Sequence, residues 1–181
     1  LLQNGAVARH GEINDVVDNY LSVEKPSLMQ EWGMKDAPGT EEAKLLYAGI
    51  DNVTGVLFID EPFSITFKIW LNIQSPDRLR KINFSLVVST LDGQVAFNVG
   101  SEAIYAKQPF IESTCHIPPN FLNDEFYTIR LLVVEDGSIP LFDVHSVLQI
   151  NLAERQRDSA WHGKWIGAVR PINLIDWTFK E

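Results

Sequence analysis

From Glu61 to Gln74 the chain reads EPFSITFKIWLNIQ, with a large apolar residue at every second position. Phe63, Ile65, Phe67, Ile69, Leu71 and Ile73 share one parity, and Ser64, Thr66, Lys68, Trp70, Asn72 and Gln74 share the other. Successive side chains of a strand point to opposite sides, so this period of two predicts a strand with one buried face and one wet face. Trp70 stands on the wet face, although the opposite face already carries six large apolar residues. An indole flanked by ammonium and amide groups suits a sugar ring, whose C–H face packs on the aromatic while its hydroxyls find donors and acceptors alongside. The alternative is a Trp covered by a loop or a neighbouring strand, because indoles are mostly buried.

The same alternation recurs along the rest of the chain. Strands are expected over Lys44 to Val53, Phe63 to Gln74, Ile82 to Leu91, Val95 to Val99, Ile111 to Ile117, Phe126 to Glu135, Val144 to Leu152 and Ile166 to Trp177. Asp92-Gly93 and Asp136-Gly137 supply hairpin turns, and Pro118-Pro119 closes a strand. About eight strands with turn signals at this spacing predict an all-β chain folded as an antiparallel β-sandwich over residues 43–181. The beginning differs. Asn4-Gly5 favours a tight hairpin, and Ile13, Val16, Val17, Tyr20 and Leu21 follow helical spacing with Glu12 and Asp15 in the first turn. Between residues 23 and 42, Pro26, Gly33, Pro38 and Gly39 break any period, so a linker or irregular arm is expected, anchored by Trp32.

Composition narrows the function classes. The chain of 181 residues is long enough for one sizeable core, and its formal charge of −9 with no basic stripe argues against nucleic acid and against a broad anionic membrane surface. Cys115 is the single cysteine, so no internal disulfide exists; it reads as a small buried hydrophobe on a strand's core face. No apolar run approaches bilayer length, and the opening residues lack the basic and apolar regions of a signal peptide, which predicts a soluble chain. The abrupt start at Leu1 predicts a fragment of a longer protein.

An ordered set of features resembles a known family. These are a strand ending at Gly55, a long strand after Glu61-Pro62, the Asp92-Gly93 hairpin and the Ile117-Pro118 strand end. A Phe126-Tyr127 strand opening, where the family more often has Gly-Tyr, and a closing apolar segment with Arg170-Pro171 and Trp177 complete it. Together they resemble the C-terminal polysaccharide-binding domain of the Wzt type of ABC transporter, which exports O-antigen glycans, over roughly three quarters of the chain. Leu2, Gly5, Gly11, Val17 and Tyr20 resemble the end of such a transporter's ATPase domain, assigned here to residues 1–22. G-x-x-x-x-G-K-[ST] is absent, so no ATP hydrolysis is expected of this chain itself.

The resemblance implies an immunoglobulin-like or jelly-roll sandwich that binds a finished, lipid-linked O-polysaccharide without cleaving it, at the cytoplasmic side of the inner membrane of a Gram-negative bacterium. It implies a homodimer, possibly through an exchanged edge strand, and association with the ATPase domain and the membrane permease. The segment Ile166 to Trp177 is the candidate for exchange, with Ala153 to Ser159 as its hinge. No cofactor is expected.

Outward parities nominate the residues that would touch a glycan. They are Lys68, Trp70 and Asn72 on the long strand, Asn83 and Ser85 on the next, then Arg130, His145 and Gln149. Polar outward residues are also what any solvated strand carries. The loop WHGKW adds Trp161, Lys164 and Trp165 beside His162; two indoles and a cation there either bind a ligand or plug one end of the sandwich. Arg78, Arg80 and Lys81 form a basic cluster suited to an acidic glycan or, alternatively, to edge protection.

Two other chemistries are weaker. The histidines His10, His116, His145 and His162 lack metal-ligand spacing. A glycosidase pair among Glu102, Glu112 and Asp143 would need two carboxyls on one face. A second reading of the whole domain is structural: it dimerises or docks on the ATPase, with its aromatics as interface anchors.

Overall fold

The computed structural model describes residues 2–3, 6–7, 27–51, 56–74, 79–155, 163, 165–171 and 178. Within them the chain is all-β. The strands are β1 (Leu2–Gln3), β2 (Ala6–Val7), β3 (Met29–Glu31), β4 (Ala43–Ile50), β5 (Leu57–Phe58) and β6 (Phe63–Leu71). β7 (Arg80–Thr90), β8 (Val95–Gly100), β9 (Ile104–Ala106), β10 (Phe110–Ile117), β11 (Phe126–Glu135) and β12 (Ile139–Ala153) follow. β1 and β2 pair antiparallel, with Leu2 opposite Val7 and Gln3 opposite Ala6; the Asn4-Gly5 turn itself lies outside the described residues. The expected helix over 13–21 lies outside the described residues.

The other ten strands form a sandwich of two sheets. One has four strands in the order β10-β6-β4-β3; the other has six, β5-β12-β11-β7-β8, with β9 also pairing β7. All pairs are antiparallel except β12 with β5. Phe63, Ile65, Phe67, Ile69 and Leu71 of β6 are buried as their parity predicts, and they help form one core with Ile82, Phe84, Leu86 and Val88 of β7 and Tyr127, Ile129, Leu131 and Val133 of β11. Burying such side chains stabilises by about 1.5–3 kcal/mol each, so this parity is what orients the strands.

The expected arm is partly sheet. Met29–Glu31 pairs with β4, Trp32 packs against the core, and Thr40 Oγ1 donates to Leu141 O at 3.1 Å. Met-Gln-Glu carries no apolar residue at every second position, so these three residues give no strand signal. The closing segment differs too. Residues 165–171 are not a strand but cross the end of the sandwich, with a single bridge between Val169 and Leu122 and a bond from Arg170 N to Phe121 O at 2.8 Å.

Asp136-Gly137 turns the chain as expected. Asp136 and Gly137 have φ of 50° and 75°, and Ser138 N donates back to Glu135 O at 3.2 Å, the backbone of a type I′ hairpin turn. Tyr127 ties the opposite end of the sandwich. Its buried hydroxyl donates to Ala168 O at 2.7 Å and lies 3.1 Å from both Asn123 O and Asn123 N, a tyrosine corner four residues long.

Arg80, expected in an exposed basic cluster, is buried. Its Nε donates to Glu135 Oε1 at 2.8 Å, its Nη2 to Glu135 Oε2 at 2.7 Å, and its Nη1 reaches Glu42 Oε2 at 3.0 Å and Asn72 O at 3.1 Å. A guanidinium is taken out of water only when its fork of donors is filled, and here three strand ends fill it.

Candidate functional site

Outward side chains of the four-stranded sheet form a stripe along β6 and β10. Register places Trp70 opposite Phe110, Lys68 opposite Glu112, Thr66 opposite Thr114 and Ser64 opposite His116. At about 3.4 Å per residue these four rows span roughly 20 Å. The first row is aromatic: Trp70 is half-buried and Phe110 is 64% exposed. In the second row Lys68 Nζ lies 3.2 Å from Glu112 Oε2, and 5.4 Å from the centre of the Tyr47 ring.

Tyr47 reaches this face because of a bulge. β4 shifts register between Leu45 and Tyr47, so Leu45 points into the core while Tyr47 pairs with Lys68 outside. Sequence parity alone sends both inward, so it gives no sign of Tyr47 on this face. Gly49 makes room for it: a methyl group added there would sit 2.2 Å from the Tyr47 hydroxyl. Register then extends the second row across all four strands as Glu112, Lys68, Tyr47 and Glu31. A groove of about 510 Å³ runs along it, walled by Trp32 and Phe110 as well.

The far rows are hydroxyl-rich. Thr66 Oγ1 donates to Asp51 Oδ2 at 2.6 Å and lies 2.9 Å from Thr114 Oγ1, and Ser64 Oγ lies 2.8 Å from His116 Nδ1. Thr66 was expected to be wet but is buried; Asp51 and Thr114 bond to its hydroxyl. The stripe therefore presents apolar rings at one end and a ladder of donors and acceptors at the other, with its central charges paired.

The remaining nominated residues lie elsewhere. Asn72 follows β6 at the sheet's end, its backbone bonded to Glu42 and Arg80. Asn83, Ser85, Arg130, His145 and Gln149 are on the six-stranded sheet. There Ser85 Oγ donates to Asn98 Oδ1 at 2.9 Å, and Arg130 grips Asp143 with Nε at 2.7 Å and with Nη2. Asp143's carboxyl is held below the usual range, first by that bond from Arg130, and His145 Nε2 lies 3.6 Å from it. Gln149 and Trp165 line a groove at the end of this sheet. Trp161 and Lys164 lie outside the described residues, as do His162 and Arg78. So Trp70 and Lys68 occupy one sheet and most of the other candidates the opposite sheet.

The three carboxylates considered for glycoside cleavage are separated in the same way. Glu112 is on β10 with Lys68, Asp143 is on β12 with Arg130, and Glu102 lies between β8 and β9. Among the described residues no three His, Cys, Asp or Glu side chains converge as a metal site would require, and no helix is long and apolar enough to cross a membrane.

No family model matches the sequence, and neither does any curated protein. Among solved structures, the fold is similar to the C-terminal domain of wzt, with a TM-score of 0.61 at 13% identity over 84% of this chain and 92% of that one. A putative beta-galactosidase from Bacteroides fragilis aligns at a TM-score of 0.35 and 15% identity, over 54% of this chain and 15% of that one. The Pseudomonas fluorescens alkylpurine DNA glycosylase AlkC bound to DNA with an abasic site analog aligns at 0.38 and 12% identity, over 61% and 30%. Both scores are too low to bear on this chain. The chain folds as the β-sandwich seen in the C-terminal domain of wzt.

Proposed function

We propose that this chain is a non-catalytic glycan-binding domain of a polysaccharide-exporting ABC transporter, and that the β6/β10 stripe holds the sugar chain. The observation that carries the reading is the Trp70–Phe110 row placed directly beside the Lys68–Glu112–Tyr47 row on an open sheet face. Apolar ring faces next to fixed polar groups match the two-sided chemistry of a pyranose. Similarity of fold to the wzt C-terminal domain and the sequence resemblance to that family support the same class of ligand, an O-polysaccharide. On this reading the domain works on the cytoplasmic side, joined to an ATPase domain and a permease.

The test is calorimetric titration of the chain with the O-polysaccharide of its own source strain beside an unrelated one. Saturable binding of the cognate glycan alone, with no release of shorter sugars, is the expected result. A well-folded chain that binds neither would end this reading.

One observation favours a structural role in addition. β8 is an edge strand, VAFNVG, with neither a charge nor a proline, and Val95 and Val99 are exposed on it. Edges without such guards invite pairing with another chain, and a second copy is the occupant proposed here. Val99→Lys is expected to shift a dimer to monomer in light scattering; a dimer that persists would place the interface elsewhere.

A further inference from the structure

The second row of the stripe crosses the whole width of its sheet. Glu112, Lys68, Tyr47 and Glu31 stand side by side on β10, β6, β4 and β3, and β10 and β3 are the two edges of that sheet. At the usual strand spacing such a row is about 14 Å long. The groove of about 510 Å³ follows it, with Phe110 on the β10 side and Trp32 just past β3 on the other. Its long axis therefore lies across the strands, and no further strand of this sheet stands beyond either end to close it.

Open ends decide which part of a glycan fits. Enclosing a chain terminus takes a concave pocket with a blind end. A groove that leaves the sheet at both edges instead lets a sugar chain continue past it in both directions. The middle of the groove is polar and fixed in place. Lys68 Nζ is held between Glu112 Oε2 at 3.2 Å and the Tyr47 ring, whose centre is 5.4 Å away. Donors and acceptors thus stand between an aromatic residue at either edge, the setting that suits several linked rings in a row.

Charge narrows the glycan further. The described lining holds one cation, Lys68, against two carboxylates, Glu31 and Glu112, and Lys68 is already paired with Glu112. A carboxylate or phosphate on the sugar would meet a wall of its own sign.

Resting on the glycan-binding reading above, we propose that the groove takes an internal segment of the polysaccharide, laid across the four strands from edge to edge, whose sugars carry no acidic group. It reads the repeating interior of the chain rather than its end.

The test is calorimetric titration of the protein with size fractions of its source strain's O-polysaccharide. The number of protein chains bound per glycan is expected to rise with glycan length, since each stretch of interior is a site. In fluorine NMR of the protein carrying 5-fluorotryptophan, the signals assigned by Trp32→Phe and Trp70→Phe are both expected to shift, because the sugar chain reaches from β10 past β3. Oxidising the primary hydroxyls of the same polysaccharide to carboxylates is expected to weaken binding by at least about tenfold. Glu31→Lys, at an exposed edge position, should recover part of that loss. A fixed number of protein chains per glycan whatever its length, or a Trp32 signal that stays still while Trp70 shifts, would overturn this inference and leave the glycan-binding reading standing. So would undiminished binding of the oxidised polymer, or a loss that Glu31→Lys leaves unchanged. Binding of no fraction at all would remove both.

Discussion

Arg80 and Glu135, 55 residues apart in sequence, close one end of the sandwich with a two-pronged ion pair, Nε to Oε1 at 2.8 Å and Nη2 to Oε2 at 2.7 Å. Both residues are buried, and the Glu135 carboxylate pushes the Arg80 guanidinium above its ordinary range. Removing one partner strands the other charge out of water, which costs about 3–5 kcal/mol, whereas replacing both by apolar groups of similar volume is often neutral. Glu135→Ala is therefore expected to lower stability by roughly 3 kcal/mol in urea denaturation. The double change Arg80→Met with Glu135→Leu should recover most of it. A single mutant with an unchanged midpoint would show that the pair is not holding this end.

Tyr127 should make the fold sensitive to alkali. Burial pushes its hydroxyl well above the ordinary value of 10.0, while the unfolded chain ionises normally. The folded value is raised, so this contribution is complete below pH 10 and is lost as pH rises above it. Tyr127→Phe removes the hydrogen bonds to Asn123 and Ala168 and is expected to cost about 1–3 kcal/mol at pH 7. Its stability should then fall less steeply than that of the native chain above pH 10. Parallel slopes for the two proteins in pH-dependent urea melts would contradict the assignment.

On the stripe proposed to bind glycan, stability and binding should separate. Phe110 is mostly exposed, so Phe110→Ala is expected to change folding stability by less than about 0.5 kcal/mol. Trp70→Ala should lose about 1–2 kcal/mol of glycan affinity, roughly five- to thirtyfold, with the fold retained in circular dichroism. Lys68→Met should leave stability within about 1 kcal/mol, because its pair with Glu112 is exposed. Unchanged cognate affinity in the Trp70 and Phe110 variants would move the glycan to another face.

Cys115 tests the core face of β10. It pairs with Ile65 and is partly buried, and burial raises its thiol above the ordinary range. Thiolate is the reactive form, so alkylation at pH 8 is expected to be slower than for the urea-unfolded chain by at least about tenfold. Equal rates would mean that β10 opens readily at the edge of its sheet.

Much of the architecture was legible in the alternation of residues. Phe63 to Leu71 and Tyr127 to Val133 declared their buried parity because hydrophobic burial dominates the choice of face, and Asp136-Gly137 declared its turn because positive φ favours those residue types. The sequence also singled out Trp70 as an indole on the outward side.

Other features needed the tertiary structure. The bulge after Leu45 sends Tyr47 outward against its parity, and register alone decides that Phe110 stands beside Trp70. Burial of Arg80 depends on Glu42, Asn72 and Glu135, which the chain brings together from distant strand ends. Period two tells each strand which side faces in, but it carries no information on which strands become neighbours or which sheet they join. That is why Trp70 and Gln149, equally outward in sequence, come to lie on opposite layers of the sandwich.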